Sequence, residues 1–134
     1  KSDSAAPFSE YKFGSDGVAS CQDWRSTSDE RVKSGISRIQ DPLNKMRNIK
    51  GATWTLETNG SIGYGFLAQD VEKDFPEAVS EIKNAPTTLR DGSVVNDVKT
   101  VNTSGVAAAL HHEAILALME KIEALESKIE ELSK

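Results

Sequence analysis

The stretch "VAAALHHEAILALMEKIEALESKIEELSK" that closes the chain limits its fold more than any other segment. Apolar residues recur at Ile115, Leu118, Ile122, Leu125, Ile129 and Leu132, spaced 3, 4, 3, 4 and 3 apart. That is a heptad seam with Ile at the a positions and Leu at d. Lys121 falls at g and Glu126 at the following e, where the two can pair between parallel helices. A helix over 105–133 would run about 43 Å at ~1.5 Å per residue, longer than a small domain needs. A stripe this narrow calls for the same helix of another chain as its partner, the alternative being an amphipathic helix packed on its own domain. Ile at a with Leu at d leans towards two strands. Ala108 at a and His111 at d dilute the seam higher up.

Composition narrows the rest. With 134 residues of which 37% are hydrophobic, the chain suits one modest domain with a small core or with burial at a subunit interface. A net charge of −5 lacks the basic stripe of a nucleic-acid partner. No stretch has the length of a membrane-spanning helix, and no apolar run of a signal peptide opens the sequence. A start at Lys1 rather than Met reads as a piece of a longer chain. Cys21 has no second cysteine to pair with, which fits a reducing cytoplasm. His111 and His112 are adjacent, and no Cys, His or Asp cluster has metal-ligand spacing, so neither a metal nor another cofactor is expected.

Along the chain, residues 1–27 mix Ser and Gly with spaced aromatics (Phe8, Tyr11, Phe13 and Trp24). Short strands and turns fit them, with Ser15-Asp16-Gly17 as a turn. They read as the end of a preceding β-rich structure. The middle is α+β. Asp41-Pro42 starts a helix through "LNKMRNI". "ATWTLE" and "IGYGFLA" make a hairpin about a tight primed turn at Asn59-Gly60. "AQDVEKDF" is a short helix ended by Pro76. "TTL" and "VVNDVKTV" make a second hairpin about Arg90–Ser93, and residues 80–88 carry no clear signal. The expected architecture is a small mixed domain of short helices and hairpins followed by a long C-terminal coiled-coil helix.

"TSDERVKSGI", residues 27–36, sets Ser28 five positions before Lys33. As plain structure, Thr27 and Glu30 form a capping box at a helix start, with Asp29 and Glu30 against the positive helix end. Spacing alone favours that reading. A chemical role asks more. A serine hydroxyl is a poor nucleophile until a base removes its proton. Lysine serves as that base only when burial or nearby positive charge brings it towards neutrality. Arg31 is a candidate for the charge, and an oligomer interface for the burial. On a continuous helix the two side chains would stand roughly 140° apart. Ser28 must therefore lie on an extended or turning segment before the helix, or the lysine must come from a neighbouring chain. A serine can also attack the carbonyl of the residue before it, moving the acyl group from N to O before water releases the ester. That would cut between Thr27 and Ser28.

Ser28, Asp29, Arg31 and Lys33 form a Ser-Asp-x-Arg-x-Lys pattern. After them come Gly65, Phe66, Ala68, Gln69, Asp70 and Val71 in a Gly-Phe-x-Ala-Gln-Asp-Val stretch that ends at Pro76, with the terminal coil behind. In this order the motifs resemble the C-terminal intramolecular chaperone domain, of the endosialidase type, found in phage tailspikes, tail fibres and neck appendages. The resemblance covers about residues 28–133. It implies a homotrimer, which overrides the two-strand leaning of the seam. It implies a domain that registers a fibrous passenger and then cuts itself off before the serine. Ser28 is then the nucleophile, Lys33 the general base and Thr27–Ser28 the scissile bond, with Asp29, Arg31 and Gln69 as candidate supporting residues. The division becomes residues 1–27 as passenger end, 28–104 as globular chaperone and 105–134 as coil. The setting becomes the host cytoplasm during virion assembly. The competing class is a trimerisation or receptor-binding fibre tip that never cuts.

Overall fold

A computed structural model describes residues 12–15, 17–21 and 23–134. Phe8, Tyr11 and Asp16 lie outside the described residues. The chain forms two compact units, residues 1–36 and 37–134.

In the first unit, β1 (Lys12–Phe13) pairs antiparallel with β2 (Ala19–Ser20). Gly17 takes φ +84° in the turn between them, the left-handed region where a glycine has no Cβ penalty. Phe13 is 80% and Trp24 63% exposed, so these aromatics build no core. A single 3-10 turn follows at Glu30–Val32.

The second unit is a small α+β domain from which a long helix continues. α1 (Pro42–Asn48) starts with proline at its first position, where a missing N–H costs nothing. Asp41 precedes it with left-handed φ and makes no side-chain cap. Its carboxylate instead accepts the Asn44 side-chain amide at 2.9 and 3.0 Å. β3 (Gly51–Thr55) and β4 (Ile62–Phe66) form the expected hairpin, with Trp54 opposite Gly63. Its connection is not the two-residue primed turn. Leu56 N–H bonds Ser61 C=O at 2.8 Å, so four residues form the loop. Only Gly60 takes positive φ, while the Asn59 side chain accepts from the Ser61 N–H and hydroxyl.

The helix expected over "AQDVEKDF" is one turn, α2 (Ala68–Val71), and a 3-10 turn at Pro76–Ala78 follows. The run "VVNDVKTV" is not one strand. β6 (Thr87–Thr88) pairs with β7 (Val94–Val95) across the Arg90–Ser93 turn. Asp97, at φ +51°, then breaks the run. β8 (Val98–Val101) pairs instead with β5 (Val79–Ile82), which begins one residue before the 80–88 stretch that carried no sequence signal.

α3 (Thr103–Leu132) begins before Gly105, because the Asn102 side chain accepts from Gly105 N–H at 3.0 Å and caps it. Its first turns bury Val106, Leu110 and Ala114. Val106 and Leu110 pack with Ile49 and Val71 in the core, flanked by Phe66, Phe75 and Val101. Leu110 and Val71 are fully enclosed. Each such side chain contributes about 1.5–3 kcal/mol by leaving water.

Trp54 lies across the glycine edge of β4. A Cβ added at Gly63 would stand 2.3 Å from Trp54 Nε1, and one at Gly65 3.3 Å from its ring. Gly63→Ala is therefore expected to force the indole aside and lower stability by about 1–3 kcal/mol, the usual cost of overpacking. Urea unfolding monitored by Trp fluorescence would measure it.

Candidate functional site: a serine–lysine turn and an uncovered helix seam

Thr27 and Ser28 lie in no helix or strand, and Asp29, with extended backbone, starts the 3-10 turn. The cap is Asp29, not Thr27 with Glu30, and no capping box forms. Asp29 Oδ1 accepts from Arg31 N–H at 2.9 Å, and its carboxylate also takes the Arg31 guanidinium, Nε at 3.0 and 3.1 Å and Nη2 at 2.6 Å. This fork lowers the Asp29 carboxyl below its ordinary 3.8, the side-chain bond to Arg31 being the largest cause. It raises Arg31 in turn. The Arg31 charge is thus matched by Asp29 and is not directed at Lys33.

Lys33 closes the turn, its N–H bonded to Glu30 C=O at 3.0 Å, and returns to extended backbone. Because the turn is tight and ends there, the chain doubles back on Ser28. Lys33 Nζ donates to Ser28 Oγ at 2.6 Å. The two side chains meet within one chain, with Ser28 ahead of the turn rather than on it. Both are exposed. An amine at this distance is within reach of the hydroxyl proton.

The lowered Asp29 carboxyl has a pH consequence. The cap is complete above the ordinary carboxylate range and is lost as pH falls through the lowered value. An NMR titration of the Asp29 side-chain carbon is expected to give a midpoint below 3.8.

Gln69 belongs to the second unit, on the exposed side of α2 between the buried Ala68 and Val71. Phe66 and Val71 of the same motif are core residues. Asp70 pairs with Lys73 at 3.2 Å, and Glu72 with Lys99. These two acids thus serve ion pairs, while Asp74 accepts from the Asn48 side-chain amide at 3.0 Å.

Beyond Ala114 no buried residue remains on α3. Exposure rises along the seam from 57% at Ile115 and 49% at Leu118 to 87% at Leu132. With Ala108 at a, the domain-facing Val106, Leu110 and Ala114 occupy f, c and g, so the a/d seam is left open from Ile115 onwards. His111, at d, meets Phe66 edge-on with ring centroids 6.1 Å apart. Among the described residues no cluster of His, Cys, Asp or Glu could hold a metal ion. No described helix is long and apolar enough to cross a membrane.

Sequence reasoning overlooked one contact. Arg38 donates to Glu113 Oε2 through Nε at 3.0 Å and Nη2 at 2.7 Å, across 75 residues of chain. No local pattern announces a pair that far apart.

Residues 28–80 match a peptidase family described as "Chaperone of endosialidase". The match begins at Ser28. Over 124 residues the chain is 32% identical to the "Long tail fiber protein Gp37" of Salmonella phage S16, covering 87% of this chain and 15% of that protein. The chain thus spans about a seventh of its relative's length. The order of motifs, the mixed domain and the long terminal helix agree with these matches, which support a C-terminal intramolecular chaperone domain of phage fibres.

Proposed function

We propose that this domain trimerises through α3, registers a fibrous passenger that precedes it in the chain, and then releases that passenger by cutting between Thr27 and Ser28. The observation that carries the reading is the 2.6 Å contact between Lys33 Nζ and Ser28 Oγ, on the very residue with which the family match begins.

In this reaction the neutral Lys33 amine removes the Ser28 Oγ proton as the oxygen attacks the Thr27 carbonyl carbon. The tetrahedral intermediate collapses with cleavage of the Thr27–Ser28 C–N bond, and Lys33 passes its proton to the departing nitrogen. Ser28 then holds residues 1–27 as an ester on its oxygen. Water, deprotonated by Lys33, hydrolyses that ester and leaves a carboxylate on Thr27 and a free amine on Ser28. Asp29 and Arg31 hold the turn that brings lysine to serine, and Gln69 is the remaining candidate for orienting the cleavage loop. No cofactor takes part.

Lys33 is exposed in the single chain, and a general base works best when withdrawn from water. Neighbouring protomers supply that withdrawal, which ties cutting to assembly. The uncovered seam supports assembly through α3, and the resemblance to phage-fibre chaperones supports the number three. Intertwined fibres depend on non-local strand pairing, which is slow and prone to aggregate. Holding three chain ends together raises the effective concentration of passenger strands. Assembly takes place in the host cytoplasm; the passenger stays in the virion and the cut chaperone leaves.

Light scattering on the purified chain tests the assembly step. It is expected to give three times the 14.5 kDa chain mass before cutting. A monomer at micromolar concentration would remove the basis of the reading. A fibre-tip domain would also trimerise, but it would stay uncut with or without Ser28.

A further inference from the structure

We infer that Arg38 and Glu113 form a positioning clamp that ties the self-cleaving turn to the helix through which the chains assemble. The inference rests on the proposed self-cleavage. Ser34, Gly35, Ile36 and Ser37 alone separate Lys33 from Arg38. All four are exposed, and Gly35 takes φ +62° with nothing within 4 Å of an added Cβ. Such a segment is free to pivot unless its end is held.

Arg38 holds it. Both of its donors reach one carboxylate oxygen, and the Glu113 side chain is only 17% exposed. The partly covered carboxylate raises Arg38, and Glu120, one heptad on, adds to the attraction. Arg38, Ile39 and Asp41 face Glu113, Ala117 and Glu120 across a cleft of about 210 Å³. Glu113 and Glu120 occupy f positions, on the side of α3 away from the a/d seam. The chain that leads out of the dyad is therefore anchored on the back of the helix whose front joins its neighbours. Exposed ion pairs add little to stability, so the clamp's effect falls on geometry rather than on folding.

The test measures how fast the fragment beginning at Ser28 appears, by intact mass, in the full chain at a concentration where the wild type is fully assembled. Arg38→Glu, Glu113→Arg and Glu113→Gln are compared with the double exchange Arg38→Glu/Glu113→Arg, each with its light-scattering mass and melting curve. Each single variant is expected to cut on the order of tenfold or more slowly, as small misplacements of reacting groups do, while remaining trimeric with nearly unchanged melting. The double exchange is expected to recover most of the rate. Single variants that cut at the wild-type rate would overturn the clamp and leave the proposed function standing. So would a double exchange as slow as the singles. A wild type that never cuts would overturn both.

Discussion

Ser28→Ala is expected to remain a 134-residue polypeptide indefinitely, where the wild type is expected to lose its first 27 residues. The change deletes one oxygen at an exposed site, so folding and assembly are expected to be unaltered. The reaction itself has no other route. Without Oγ no ester forms, and the uncatalysed hydrolysis of a peptide bond is slower by many orders of magnitude. Lys33→Ala is expected to fall short of this total block, because water can take the serine proton at a residual rate. General-base assistance is worth about 10²–10⁴-fold, so a slow product is expected from it over days. Lys33→Arg should behave like Lys33→Ala, since a guanidinium stays protonated and cannot act as a base. Intact mass over a time course checks all three. Cutting in Ser28→Ala at the wild-type rate would remove serine from the mechanism altogether.

Ile122→Asp is expected to have an equally large effect on assembly. Ile122 lies in the middle of the uncovered seam, 55% exposed in the single chain. In a trimer the substitution sets three carboxylates around one layer of an apolar core. Burying an unpaired charge costs far more than a single core layer contributes, and light scattering is expected to give the mass of one chain. The core residues of α3 are untouched, so the folded domain is expected to survive while the free end of the helix frays. An isolated helical segment of that length is marginal in water. Cutting is expected to fall by at least tenfold, because nothing then withdraws Lys33 from water. A monomer that cuts as fast as the wild type would separate cleavage from assembly and end the coupling argument.

How much was visible in the sequence depended on how local each interaction is. α3 was legible through its heptads, and the β3–β4 hairpin through strand residues flanking Asn59-Gly60. The loop type was not, because Asn59 turns its side chain onto Ser61 instead of entering the left-handed region. The pairing of Val79–Ile82 with Val98–Val101 joins strands separated by a whole hairpin, and no pattern within either strand names its partner. The break at Asp97 was hidden inside an apolar run. In the site, Ser28 and Lys33 were legible as a pair through a resemblance, whereas their meeting depends on the tight turn set by Asp29. A capping box led by Thr27 would have started a helix and carried the two side chains to different faces. Arg38 and Glu113 are joined only by the packing of the residue 37–41 segment on α3.

The most direct measurement is the identity of the first residue in the C-terminal product of the incubated wild-type chain. The account predicts a 107-residue fragment that starts at Ser28, appearing with first-order kinetics independent of concentration once the trimer has formed. A chain that stays whole while trimeric and folded, or a cut at any other bond, would contradict it.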